Sequence, residues 1–301
     1  FAPADVERVR TNLVTALRSK TDSPDASLQD LVERTVYAGH PYANDPDGTL
    51  ESVAKFTPAD LAAYHKQLMQ TSRMLLVVVG DVDPEVIRQR VAESFGKLPR
   101  GNYTEKPLPA LDFSKPTVDI EPKGVQTNYV EGSFAAPSIN DPEYYAMRTA
   151  VSILQTQVYQ EVRVKRNLSY APDASLNTMG ANTAFIYVTA VQPNVAVSVM
   201  LDCIRDLQKN QVTDDVIKAY ANFFLTTYYM GQEANTAQVG ELARYELIGG
   251  GWRNSLKFLD GVRNVTPDQV QAVAKKYMRN VRFTVVGNPA DVDKAIFMQA
   301  L

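Results

Sequence analysis

Residue types that do chemistry are scarce in this chain of 301 residues. Its only histidines are His40 and His65, 25 positions apart, in neither an H-x-x-x-H nor an H-E-x-x-H pattern. No two imidazoles therefore share a helical face, as a helix-borne zinc site requires. His40 precedes a proline in "HPY" and His65 lies beside Lys66 in a helical stretch. Both read as loop or surface histidines. Cys203 stands alone, which rules out a disulfide framework and a thiolate metal cage.

Other motifs fail on context. "LIGGGW" (Leu247 to Trp252) lacks the Lys-Ser/Thr of a phosphate loop and closes a helix instead of opening one, so its glycines read as C-terminal caps. Asp81 and Asp83 in "GDVDP" read as a turn and an N-cap before Pro84. No Ser-His-Asp or Cys-His arrangement has support, which argues against an independent hydrolase. The remaining stretch is "EVRVKRNLSY", from Glu161 to Tyr170. Taken bare, Arg163, Lys165 and Arg166 are a solvated helix end placed well against the dipole, and Tyr170 is a strand aromatic half in the core.

The elements that must position these residues are read from periodicity. Val6, Val9, Leu13 and Leu17 recur at helical spacing. Thr57 and Pro58 cap a helix carrying Leu61, Tyr64 and Leu68 on one face, and Pro84 opens another with Ile87, Val91 and Phe95 inward. Met74 to Val79 is a valine-rich run stopped by Gly80, which predicts a buried strand. Strands are also predicted over 128–136 and 183–191, and helices over 141–154 and 193–209. This mixture without strict alternation predicts an α+β layered fold. A net charge of −3 offers no electrostatic case for nucleic acid or an anionic membrane, and no apolar run is long enough to insert in a bilayer.

The chain also repeats itself. "TPADLAAYHKQLM" from Thr57 returns 209 positions later as "TPDQVQAVAKKYM" from Thr266, each followed by a valine-rich run and a Gly. Upstream, Asp5 and Asn12 match Asp215 and Asn222 at an offset of 210. An offset this long predicts duplicated domains, not a solenoid. The organisation expected is tandem homologous modules of mixed sheet packed with helices. Residues 1–100 would be the C-terminal half of a first module, 101–116 a Pro-rich linker, and 117–301 a complete second module. The first module's other half is expected before Phe1.

At the Arg163–Tyr170 stretch the sequence resembles the insulinase-like (pitrilysin-type) zinc metallopeptidases. "HPYANDPDG" is similar to that family's His-Pro-Tyr loop and "LVVVGDVDPEV" to its strand-turn-helix. "RVKRNLSY" is similar to its R-x-x-x-G/N-L-x-Y segment, whose Arg and Tyr contact the substrate backbone. The resemblance implies that Arg163 and Tyr170 bind substrate. It also implies that catalysis lies elsewhere. The family's H-x-x-E-H motif is absent, and Val9 and Ala16, with Ala219 and Thr226 in the second module, stand where a ligand helix carries glutamates. No catalytic or metal-ligating residue is thus expected in this chain.

The function implied is the non-catalytic, substrate-enclosing part of a zinc metalloendopeptidase acting on peptides. Zinc would lie on a partner module or subunit bearing H-x-x-E-H. The alternative is a structural or assembly protein of the same fold, like core subunits of the respiratory bc1 complex. Bacterial four-module relatives point to the periplasm, although nothing in the residues themselves fixes the compartment. The purified chain is expected to hold no stoichiometric zinc and to leave peptides uncut. Metal analysis after purification without chelator, paired with a cleavage assay, checks this. One tightly bound zinc with chelator-sensitive cleavage would overturn it.

Overall fold

The computed structural model describes residues 1–301, and helices fill its first third. These are α1 (Pro3–Asp22), α2 (Pro24–Thr35), α3 (Leu50–Lys55), α4 (Pro58–Leu68) and α5 (Pro84–Glu93). Strands and helices then mix: β1 (Thr117–Pro122), β2 (Asn128–Ala135), α6 (Tyr144–Val158), β3 (Asp173–Leu176), β4 (Thr183–Ala190) and α7 (Pro193–Lys209). The chain ends through α8 (Asp214–Gly231), α9 (Asn235–Ile248), α10 (Phe258–Arg263), α11 (Pro267–Tyr277), β5 (Arg282–Gly287) and α12 (Lys294–Phe297). One five-stranded sheet runs β1-β5-β2-β4-β3. β1 lies parallel to β5 and the other pairs are antiparallel. The α+β class predicted by the sequence is the one observed.

Period-two alternation gives the sheet two unlike faces. Val130 and Phe134 of β2, Ile186 and Val188 of β4, and Phe283 and Val285 of β5 point into the main core with α6, α7 and α11. That core draws on residues 130–297 alone. The opposite face carries Glu131, Ser133 and Thr284, and it is covered by α2. Leu28 and Leu31 of α2 pack there on Val286, flanked by Tyr129 and Tyr187.

Polar contacts complete the seam. Gln29 Nε2 donates to Glu131 at 3.0 Å, and Ser133 Oγ donates to the other carboxylate oxygen at 3.0 Å. Arg282 donates to the last carbonyls of α2, at Thr35 (2.7 Å) and Val36 (3.2 Å), a cation at a helix C-terminus. Tyr37 and Thr183 hydroxyls meet at 2.9 Å. The Pro-rich stretch is tied down by His40, which is buried, not on the surface. Its Nε2 lies 3.2 Å from the Pro109 carbonyl and its Nδ1 accepts from the Tyr42 amide at 3.1 Å.

One strand expectation is corrected, and two strands form that the sequence pattern does not signal. Met74–Val79 forms no strand, and Leu75, Leu76 and Val78 are exposed. A strand is stable only when its backbone groups find a neighbour. All five strands of the sheet come from residues 117–287, and this run borders none of them. Conversely, β1 and β3 form in segments whose short or mixed patterns carry no strand signal. The repeated helices α4 and α11 match closely. Both open with a Thr capping box and end on a methionine, at φ −76°, ψ 62° for Met69 and φ −79°, ψ 58° for Met278. Yet α11 buries Val270, Val273 and Ala274 while α4 buries nothing.

Burial raises the pKa of Glu131 above the usual carboxylate range, against the hydrogen bonds from Ser133 and Gln29. The unfolded chain ionises this group first as pH rises. Its contribution to stability is therefore lost upward from about pH 4, through its raised folded value. Relative to wild type, Glu131→Gln should gain in urea midpoint across that window and then level off. Parallel pH profiles for the two proteins would show that the carboxyl is not held up by burial.

Candidate functional site

Helix α6 does not end cleanly. Its last turn widens into a π-helical segment, Tyr159–Val164, in which the Lys165 amide donates to the Gln160 carbonyl at 2.9 Å. Such widened turns recur at functional sites. The fully buried Val162 anchors the segment. Asn167 then reverses the chain at φ 50°, a left-handed conformation that asparagine tolerates better than most residues. This reversal brings the Asn167 amide to the Arg163 carbonyl at 3.1 Å and the Leu168 amide to the Val162 carbonyl at 3.0 Å. Asn167 occupies the G/N position of the R-x-x-x-G/N-L-x-Y pattern, so the motif's variable residue is the one the backbone constrains.

The turn separates the three cations. Lys165 and Arg166 both pair with Glu161, at 2.6 and 2.5 Å, and hold its carboxyl below the usual range. Arg163 reaches no carboxylate. Its guanidinium lies 4.6 Å from the centre of the Tyr170 ring and donates to Asn167 Oδ1 at 3.2 Å. The bare reading of a solvated helix end holds for Lys165 and Arg166. Tyr170 departs from it: the ring precedes β3, outside any strand, and is 78% exposed.

Arg163 and Tyr170 line an open groove of about 610 Å³ with Tyr159, Asp173 and Tyr187. Its far wall is fixed through α2, because the Tyr187 hydroxyl donates to Asp25 at 2.5 Å. Burial and the Asp25 carboxylate both push the Tyr187 pKa up, so the phenol stays protonated. β3 borders the groove at Asp173 and pairs only with β4, which leaves its outer edge without a strand neighbour. Sequence reasoning missed Tyr159, Asp173 and Tyr187. For Tyr187 a signal existed: it faces away from the core in the alternation of β4, where an aromatic needs a cover or a partner.

The residues present do not fit a zinc ion. Both ring nitrogens of His40 are engaged with backbone, and His65 is exposed on α4 against Phe1. Val9 and Ala16 on α1, like Ala219 and Thr226 on α8, are exposed and non-ligating. Asp30, Glu33 and Asp45 gather within 4.8 Å, but this set is all carboxylate, and Lys20 already pairs with Asp45 at 2.7 Å. Zinc sites favour nitrogen and sulfur donors. Asp83 and the Gly249–Gly251 run are caps, as predicted. Asp83 accepts from the Glu85 amide at 2.8 Å, and the Gly251 amide donates to the Tyr245 carbonyl at 3.0 Å.

The site is thus an open groove on an α+β module, with Arg163 and Tyr170 in its lining. The family model described as the peptidase M16 inactive domain matches residues 55–223, more than half of the chain, and the chain belongs to that family. An uncharacterized zinc protease of Mycobacterium tuberculosis is 24% identical over 288 residues; the match covers 91% of this chain but 65% of that protein. A peptidase M16 inactive domain from Pseudomonas fluorescens superposes with a TM-score of 0.86 at 19% identity, covering 96% of this chain and 71% of that one. A chain of complex III2 from Candida albicans superposes at 0.75 with 14% identity, covering 96% and 73%. At these identities the structural likeness is one of fold. No helix is long and apolar enough to cross a membrane.

The left-handed turn makes a prediction of its own. Asn167→Ala should cost roughly 1–2 kcal/mol in urea denaturation, because alanine is strained at positive φ. Asn167→Gly should cost less than alanine, since it accepts the backbone and forfeits only the acceptor for Arg163. Equal losses in the two variants would show that φ is not the constraint.

Proposed function

We propose that this chain is the non-catalytic, substrate-enclosing part of an M16 zinc metalloendopeptidase. On this reading residues 1–100 belong to a first module, 101–116 link, and 117–301 form the second of a duplicated pair. The matching caps and helix order of the two repeats support that division. A module or subunit bearing H-x-x-E-H, on the same polypeptide or another, supplies the zinc and the cleavage.

One observation carries the role of the site. Of three neighbouring cations, Arg163 alone lacks a carboxylate, and it is stacked on an exposed Tyr170 beside an unpaired strand edge. A guanidinium and a phenol donate to a peptide carbonyl, or to an oxyanion that develops on it. The open edge of β3 accepts an extended backbone without reading its side chains. Substrate would thus be held by main-chain contacts, with the chemistry performed from the facing module.

The fold shared with a complex III2 chain supports a second reading, in which the module serves assembly and cuts nothing. The enzyme assembled with its catalytic partner separates the two. Arg163→Ala and Tyr170→Phe should each lower turnover by roughly 10²-fold while zinc content stays unchanged. Unaltered kinetics in both folded variants would remove the site from substrate contact. Absence of any peptide cleavage by the assembled complex would favour the assembly role.

A further inference from the structure

A second concave site lies at the other end of β3. A cavity of about 430 Å³ opens between α6, α8 and α9, and Thr178, just past β3, forms part of its wall. Its size suits a small ligand or one peptide side chain. Two guanidiniums line it, Arg148 from α6 and Arg244 from α9, together with Glu241 and Gln232.

Arg148 is an unusual residue for a structural role. Its guanidinium lies over the rings of Phe224 (5.3 Å) and Phe258 (5.2 Å), which are themselves edge-to-face neighbours, so aromatic surface takes up its nearest contacts. Its N–H edges are not satisfied. Nε is buried without an acceptor, and the one hydrogen bond the side chain makes is a long 3.5 Å contact from Nη1 to the Tyr144 hydroxyl. Arg244 makes no hydrogen bond or ion pair either. Neither guanidinium reaches a carboxylate oxygen within 4.0 Å. The nearby carboxylate is turned elsewhere: Glu241 accepts from Gln232 Nε2, and burial raises its pKa, opposed by the charges of Arg244 and Arg148. A permanently charged side chain held among aromatics, with its donor edge unmet, is matched by an anion that accepts in the guanidinium plane.

We infer that this cavity binds a carboxylate, supplied by an acidic side chain or the C-terminus of a peptide. The carboxylate preference stands on the cavity itself, whereas the peptide as its source rests on the reading of the groove given above. Asp173 lines the groove and Thr178 the cavity, five residues apart along the β3 edge, roughly 17 Å of extended chain. A peptide paired along β3 thus meets Arg163 and Tyr170 at one end and the two guanidiniums at the other. The chain would favour peptides carrying a negative charge about five residues from the bond presented at the groove.

Calorimetric titration of the chain tests this with three probes: a capped hexapeptide containing one Glu, its Gln analogue, and glutarate. The Glu peptide should bind at one equivalent, and the Gln analogue at least tenfold more weakly. Arg244→Gln, an exposed change on α9 that leaves the core intact, should weaken binding about tenfold, and Arg148→Met more. Glu241→Gln removes the competing negative charge and should tighten binding several-fold, a gain that no packing role produces. Circular dichroism of each variant verifies the fold, and Arg244→Gln and Glu241→Gln decide the matter if Arg148→Met unfolds. Glutarate binding as tightly as the Glu peptide, with the same response to the variants, would retain the carboxylate site and overturn the peptide as its source. No saturable binding of any probe, or binding indifferent to the substitutions, would overturn the site. Neither result depends on turnover, so failure here is distinct from failure of Arg163 and Tyr170 to affect cleavage.

Discussion

A carboxyl group placed between a strand and a helix loses its water, and the fold keeps it only if other donors replace that water. Glu131 is in that position, closed over by Gln29 and Ser133. The requirement orders much of the molecule. It demands that α2 lie across the second face of the sheet, and Leu28 and Leu31 supply the apolar burial that holds the helix there. It also explains why the seam is rich in hydroxyls and guanidinium contacts instead of plain hydrophobic packing. Arg282 caps the carbonyl end of α2, and Lys123 reaches Thr21 and Ser27 at its start.

The groove inherits its shape from this seam. Asp25, in the first turn of α2, fixes the Tyr187 hydroxyl, so the residues preceding the sheet help build the wall facing Arg163. The opposite wall depends on the π-helical end of α6 and on the left-handed Asn167. The two walls come from segments far apart in sequence, and each is held by its own buried anchor, Val162 on one side and Leu28 on the other. A substitution in either anchor would reach the groove without touching it.

Charge pairing divides the cationic side chains into two kinds. Lys165 and Arg166 share Glu161, and Arg282 is spent on backbone carbonyls. Arg163, Arg148 and Arg244 have no carboxylate partner, and all three line concave surfaces along the β3 edge. In a chain of net charge −3 such cations are not an overflow of positive charge. The proposed ligand contacts rest on these three unpaired guanidiniums.

Local sequence determined the elements that need only their own residues. The Thr-Pro capping boxes set α4 and α11 to matching lengths and end geometries, and the alternation in β2 and β4 sorted core residues from outward ones. That Ala16 cannot ligate a metal was equally plain, because its side chain has no lone pair to offer. What local sequence could not decide was burial. α4 and α11 carry nearly the same pattern, but only α11 packs into the core, against α6 and α7. The valines of 74–79 read as a core strand and are exposed, since a strand needs a neighbour that no local pattern supplies. The same limit applies to the sites. The "RVKRNLSY" motif pointed to Arg163 and Tyr170, but only the folded chain frees Arg163 from Glu161 and sets Tyr187 across the groove. Arg148 lies within an ordinary helical stretch, and its unmet donor edge exists only because tertiary packing surrounds it with Phe224 and Phe258.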